Sequence, residues 1–319
     1  MDAARAIEIA SGHLASLSGH IFDLLALSKP ISPGAALNLA KIISKLSPLL
    51  GSLIEFNAVE LLNEKDELKD YGRWRRQDPD FPDAVFDGKI VPIPGMEVKA
   101  WFPLVTEITA RFKSSQNHFI DGRTKTHVCM LAWLPEQLIY GRPYILDVMV
   151  SDGLSVAKAR DDHYHNPPGY IVLEPEDTKE RTRNLQQTNT SGYKLQEESE
   201  KEEAEIVVET WGTDGKKYKP TRDYQQQLRE LRSKFNYRLD TNFAKMDRIS
   251  HPDIEQFKTR VCGTTVNGLT VGRWTKMFKS VKNRGGKQPK NLAAKEALLR
   301  AALAKHLEIK EEPAGKLLV

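Results

Sequence analysis

FPDAVFDGKIVPIPGMEVKAW, residues 81–101, is the stretch on which the reading of this chain turns. Pro82-Asp83 opens the apolar run DAVF (83–86). Asp87-Gly88, a strong short-range hairpin signal, follows, then KIVPIPG (89–95) and MEVKAW (96–101). The order predicts strand, tight turn, connecting stretch and strand. Side chains alternate along a strand, so Glu97 and Lys99 point one way while Met96 and Val98 enter the opposite layer. Asp83 meets them on that face if its strand pairs with theirs. Acid-x-Lys alone carries little weight, because the chain also holds Glu67-Leu68-Lys69, Asp87-Gly88-Lys89, Asp177-Thr178-Lys179, Asp214-Gly215-Lys216 and Glu308-Ile309-Lys310. Only Glu97-Val98-Lys99 lies in an apolar strand with a Pro-Asp fourteen positions upstream. A solvated face of a half-buried sheet is the plain alternative for such a charged pair.

Upstream, the chain reads as helix. Ser32-Pro33 and Ser47-Pro48 each set a hydroxyl cap before a proline at a first helical position, which predicts two helices, roughly 33–46 and 48–64. Leu49, Leu50, Leu53, Ile54, Val59, Leu61 and Leu62 are expected to make a wide buried face on the second, and Glu55 sits among them. Glu55 either reaches water from the edge of that face or serves a site. Downstream, HVCMLAW (127–133), YILDVMV (144–150) and GYIVLEP (169–175) are strand candidates, with loop chemistry at Tyr140-Gly141-Arg142-Pro143 and Asn166-Pro167-Pro168-Gly169. Helices followed by a run of strands predict an α/β (α+β) fold, a mixed sheet flanked by helices.

The 319 residues and 36.1 kDa exclude a mini-protein, and 40% hydrophobic with 28% charged residues is the profile of a soluble globular chain. No uninterrupted apolar run approaches 18 residues, so no membrane span is expected. The opening MDAARAIEIASGHLASLSGH carries Asp2, Glu8 and His13 and lacks the order of a secretion signal, which points to the cytoplasm. Two cysteines, Cys129 and Cys262, form neither a disulfide framework nor a four-cysteine zinc site. Net charge is only +4, yet its distribution is uneven. EESEKEEAE (197–205) is the most acidic stretch and predicts a solvated connection or helix surface. The main domain is placed at 1–205 and a basic subdomain at 206–319, with a helix near Tyr224–Phe235. Between Val271 and His306 ten Lys and Arg face the single acid Glu296, a candidate phosphate-binding surface or a plain solvated face.

Two carboxylates converging from adjacent strands make an oxygen-rich site suited to Mg²⁺, which takes a few carboxylates plus waters and phosphate oxygens. A lysine beside that site can hold the attacking water and stabilise charge building on a phosphodiester. At these residues the sequence resembles the PD-(D/E)XK nuclease superfamily, and in particular type II restriction endonucleases. The resemblance covers Phe81 to about Trp101 tightly and roughly Leu46 to Pro175 loosely. It implies a restriction-endonuclease-like fold, metal binding by Asp83 and Glu97, a catalytic role for Lys99, and a further metal-binding glutamate from a preceding helix at Glu55.

WFPLVTEITARFKSSQNHF (101–119) holds Arg111, Lys113, Ser115, Gln116 and Asn117, able to contact phosphates and base edges, and Arg181 and Arg183 belong to a second such cluster. Glu107 reads as a solvent-facing residue or a further ligand. Lys276, Lys279 and Lys282 are the basic residues expected to add affinity for DNA. His163-Tyr164-His165 lacks the partners of a zinc site, and no Gly-x-x-x-x-Gly-Lys-Ser/Thr loop is present, so no nucleotide cofactor is expected. The expectation is a Mg²⁺-dependent, sequence-specific double-stranded DNA endonuclease leaving 5′-phosphates. Cutting both strands with one site per chain implies a homodimer. A repair or recombination nuclease on the same core, and a non-catalytic DNA-binding regulator, are the competing readings.

Overall fold

The structure of the protein, a computed structural model, describes residues 1–77, 80–105, 119, 122–165, 170–173, 191–195, 197–217, 219, 221–240, 250–282 and 289–310. In chain order the elements are α1 (Ala3–Ala15), α2 (Pro33–Asn63), β1 (Gly72–Arg76), β2 (Ala84–Gly88), β3 (Ile93–Trp101), β4 (Thr124–Gln137) and β5 (Tyr140–Asp152). They are followed by α3 (Gly153–His165), β6 (Tyr170–Leu173), β7 (Ser191–Leu195), α4 (Glu198–Glu209), α5 (Arg222–Lys234) and β8 (Tyr237–Asp240). The described chain closes with α6 (Pro252–Gly263), the short strands β9 (Thr265–Val266) and β10 (Leu269–Thr270), α7 (Val271–Ser280) and α8 (Leu292–His306). Two compact units result: Met1–Arg111 with Gly122–Asp152 and Pro252–Val319, and Phe112–Asp121 with Gly153–His251. This differs from a single division near residue 205, because the C-terminal helices pack with the N-terminal segment.

The first unit is α+β, a mixed five-stranded sheet flanked by helices. Its order is β1-β2-β3-β4-β5, antiparallel except for the parallel pair β3–β4. β4 is buried from Val128 to Leu134, as a continuous apolar run in a central strand requires. Trp74, Phe86, Ala84, Met96, Val98 and Ala100 share one sheet face by register. α2 packs on that face, and a Cβ added at Gly51 would lie 3.5 Å from that of Ala100. Asp83, Glu97, Lys99 and Trp101 share the opposite face, where Trp101 meets Phe257 of α6. α6 is pinned there by Arg260 Nε on Asp147 (2.7 Å) and by the Ser151 hydroxyl on Asp253 (2.6 Å).

Three local expectations need correction. The two helices expected at 33–46 and 48–64 are one helix of 31 residues with Pro48 inside it. Pro48 has no N–H for the Ser44 carbonyl, and the Ser47 hydroxyl donates to that carbonyl instead (3.0 Å), so the helix continues where a cap was expected. By length and composition alone this merged helix is apolar enough to cross a membrane, with a mean hydropathy of 1.2 over 18 residues, of which 33% are buried.

Asp87-Gly88 is not the hairpin turn but the end of β2, paired with Arg73 and Gly72. A Cβ on Gly88 would strike the Tyr71 carbonyl oxygen, so the glycine serves the close crossing of β1 and β2, and the chain reverses over Lys89–Pro92. Likewise Tyr140–Pro143 lies inside β5, paired with β4, and the chain turns at Leu138-Ile139.

β1 itself was not anticipated, since GRWRR has a single apolar residue. Of the second unit, β6, β7 and β8 form an antiparallel sheet, and Leu195, Ala204, Leu231 and Phe235 form a small core. The acidic run lies largely on α4 and the helix expected near Tyr224 is α5.

Candidate active site

β2 pairs with β3 only at Ala84–Met96 and Val85–Gly95. Beyond Met96, no strand among the described residues lies beside the edge of β3 that faces β2, so its amides need other acceptors. Carboxylates supply them. Asp83 Oδ2 accepts the Val98 N–H (2.9 Å), and Glu55 Oε1, from α2, accepts the Ala100 N–H (2.7 Å). The Asp83 N–H donates to Glu97 Oε2 (3.1 Å), because the register carries Asp83 opposite Glu97. Lys99 closes the cluster, its Nζ donating to Asp83 Oδ2 (2.9 Å) and lying 2.8 Å from Glu97 Oε1.

Gly95 keeps this junction tight: a Cβ there would crowd the ring of Pro82, the residue before Asp83, at 2.9 Å. The cluster is largely dry, with side-chain exposures of 8% for Glu97, 15% for Asp83 and 17% for Lys99.

Burial pushes the Glu97 carboxyl up to about 7; Lys99 opposes that rise and the Asp83 charge adds to it. Burial pulls the Lys99 ammonium down, but the charges of Glu97, Asp83 and Glu55 outweigh it and hold Lys99 above its ordinary value. Lys99 is therefore a fixed cation. With all groups ionised, three carboxylates against one ammonium leave a formal charge of −2.

The chemistry of the donor set fits Mg²⁺, which is commonly bound through one or two carboxylates with waters and substrate phosphates completing its shell. Asp83 and Glu97 provide those carboxylates on one face. Glu55 reaches the same strand, but through a main-chain amide, and no three His, Cys, Asp or Glu side chains among the described residues gather closely enough to hold a metal by themselves.

The structure thus brings Asp83, Glu97 and Lys99 together and sets Glu55 beside them. Lys276 lies exposed on α7 and Lys279 half-buried, while Lys282 follows the helix end, its ammonium pulled down first by burial and then by Lys279. α7 is tied to the chain leaving β3 through the Thr275 hydroxyl, which donates to the Pro103 carbonyl (3.2 Å). Arg111, Lys113, Ser115, Gln116, Asn117, Arg181, Arg183 and Glu107 lie outside the described residues. His163 and His165 fall in α3, with side chains also outside them.

Sequence reasoning missed Arg73 and Arg75. β1 sets both on the face of Asp83 and Glu97, exposed, with Arg75 Nε 3.6 Å from Asp87. The only available signal was their alternation about Trp74. No family model, curated protein or solved structure matches this chain.

Proposed function

We propose that the protein is a Mg²⁺-dependent double-stranded DNA endonuclease with a PD-(D/E)XK site on a restriction-endonuclease-like core, acting as a type II restriction enzyme that leaves 5′-phosphates. The observation that carries this reading is Lys99 Nζ held between Asp83 and Glu97 at the point where β3 outruns its neighbour.

Asp83 and Glu97 would hold Mg²⁺, with Glu55 as the nearest additional carboxylate. Bound there, the ion would supply Lewis acidity to a phosphoryl oxygen and lower the pKa of water. Lys99, kept charged by its neighbours, donates hydrogen bonds to the attacking water or to a non-bridging oxygen, where negative charge grows in the transition state. Its largely enclosed position between the two carboxylates means that it need not reorganise when that charge appears. The amides of Val98 and Ala100, tied to Asp83 and Glu55, fix the carboxylates relative to β3. Lys276, Lys279 and Lys282 supply sequence-independent attraction to phosphates, which weakens as salt rises.

Purified protein incubated with phage DNA and Mg²⁺ is expected to give discrete fragments whose sequenced ends share one site and carry 5′-phosphates. Asp83→Asn is expected to stop cutting while leaving DNA binding measurable. Cleavage confined to branched substrates would favour the repair nuclease. Tight, specific binding without cleavage in Mg²⁺ or Mn²⁺ would favour the regulator.

A further inference from the structure

Between the end of α1 and the last turns of α2 lies a cavity of about 190 Å³, lined by none of the residues clustered around Lys99. Its floor is apolar: Leu14 and Leu17 come from the end of α1 and the turn after it, Ala58 and Leu62 from α2, and all four are buried. Its rim is polar and basic, with His13 on the last turn of α1, His20 beyond that helix and Lys65 just past α2. No acid among the described residues lines it.

Two of the rim groups are held in place by other parts of the fold. His13 Nε2 lies 3.1 Å from Glu67 Oε1, on the 3₁₀ turn Asp66–Leu68. His20 belongs to a segment strapped along β5, where the Gly19 N–H donates to the Ile145 carbonyl and the Ile145 N–H donates to the His20 carbonyl, each at 2.9 Å. The His20 ring stands edge-on to Phe22 with centroids 4.7 Å apart. Side chains fixed in this way lose little freedom when a ligand arrives. Lys65 has no ion pair among the described residues. Two acids close to it in sequence are already engaged, Asp66 by Lys69 at 3.1 Å and Glu67 by His13.

We propose that this cavity binds a small organic monocarboxylate whose apolar body is the size of one six-membered ring. Volume sets the body. A void of ~150 Å³ lined by apolar side chains admits benzene, and pockets for drug-sized molecules begin near ~300 Å³, so a nucleotide is too large. The rim sets the head. The Lys65 ammonium and the His20 imidazole N–H donate hydrogen bonds that a carboxylate accepts, and an ionised partner strengthens such bonds. One lysine matches a monoanion, whereas a phosphate dianion would bring a second charge with no fixed cation to meet it. An apolar pocket with a few converging polar groups is the form that small-molecule sites take. The inference goes beyond the nuclease reading and does not rest on it.

Isothermal titration of the full chain with benzoate is expected to show one saturable site with a Kd below ~1 mM, and cyclohexanecarboxylate is expected to bind comparably. Acetate, which lacks the body, and benzylamine, which reverses the charge, are expected to bind at least ~10-fold more weakly. Lys65→Met and His20→Phe, both at exposed positions, should each weaken benzoate binding ~10-fold with circular dichroism and unfolding midpoint unchanged. Ala58→Leu should fill the floor and abolish binding; should it misfold, the two rim variants decide, because they lie outside the core. No saturable binding up to about 10 mM benzoate, or equal affinity for benzylamine, would overturn the proposal. So would benzoate binding indifferent to both rim variants, which would place the anion among the C-terminal lysines. Benzoate bound at this rim by a protein that cuts no DNA would defeat the nuclease reading alone, and DNA cleavage by a protein that binds no benzoate would defeat this one alone.

Discussion

Asp87-Gly88-Lys89 and Glu97-Val98-Lys99 have the same acid-x-lysine pattern ten residues apart in one hairpin, and the fold gives them opposite characters. Asp87 is 60% exposed and faces Arg75 at 3.6 Å across water-washed surface, an arrangement that contributes little to stability or chemistry. Glu97 and Lys99 are almost enclosed, 2.8 Å apart, with Asp83 completing the cluster. The middle residues differ to match. Gly88 lets two backbones cross, whereas Val98 is fully buried in the sheet and offers its amide to Asp83. A motif of this kind acquires reactive character from desolvation and a third group, not from its spelling.

The widest separation between the two sites is expected in catalysis. Lys99→Ala and Asp83→Asn should lower Mg²⁺-dependent plasmid cleavage by about 10³-fold or more, while Lys89→Ala and Asp87→Asn should stay within about threefold of wild type. Equal losses at both sites would erase the distinction.

Stability should separate them next. Lys99→Met strands two enclosed carboxylates and is expected to cost about 3–5 kcal/mol in urea unfolding near neutral pH. Lys89→Met should cost less than about 0.5 kcal/mol.

A third measurement sharpens the contrast through pH. Burial raises Glu97 from its ordinary 4.5 to about 7, so the folded state holds this proton more tightly than the unfolded chain. Its stabilising contribution is therefore full below about pH 4.5 and is lost as pH rises through about 7. The unfolding free energy of wild type minus that of Glu97→Gln should fall across this window. The corresponding difference for Asp87→Asn should lack that fall, and a flat Glu97 difference would remove the enclosed site's special character. The smallest effect tests the middle residues: Gly88→Ala should destabilise by about 2 kcal/mol, since its Cβ meets backbone that has no freedom to retreat, with cleavage per folded molecule unchanged.

The strands β3, β4 and β5 were legible because long apolar runs with alternating or continuous patterns specify them with little dependence on context. Asp83, Glu97 and Lys99 were legible for the related reason that period-two alternation fixes which side chains share a face. β1 was not, because an edge strand with one inward tryptophan has almost no pattern of its own. The break expected at Pro48 failed on a single hydroxyl, the Ser47 Oγ that takes over the missing amide. The reading of Asp87-Gly88 as a turn failed because glycine serves close backbone approach as readily as reversal.

Local rules of pattern and propensity, which act over a few residues, were therefore enough to establish a helix-led α+β chain and the three groups of the candidate site. Tertiary structure alone decided that Glu55 reaches β3 and that the C-terminal helices pack with the N-terminal segment. Each of these depends on distances between segments remote in sequence, set by which surfaces bury one another.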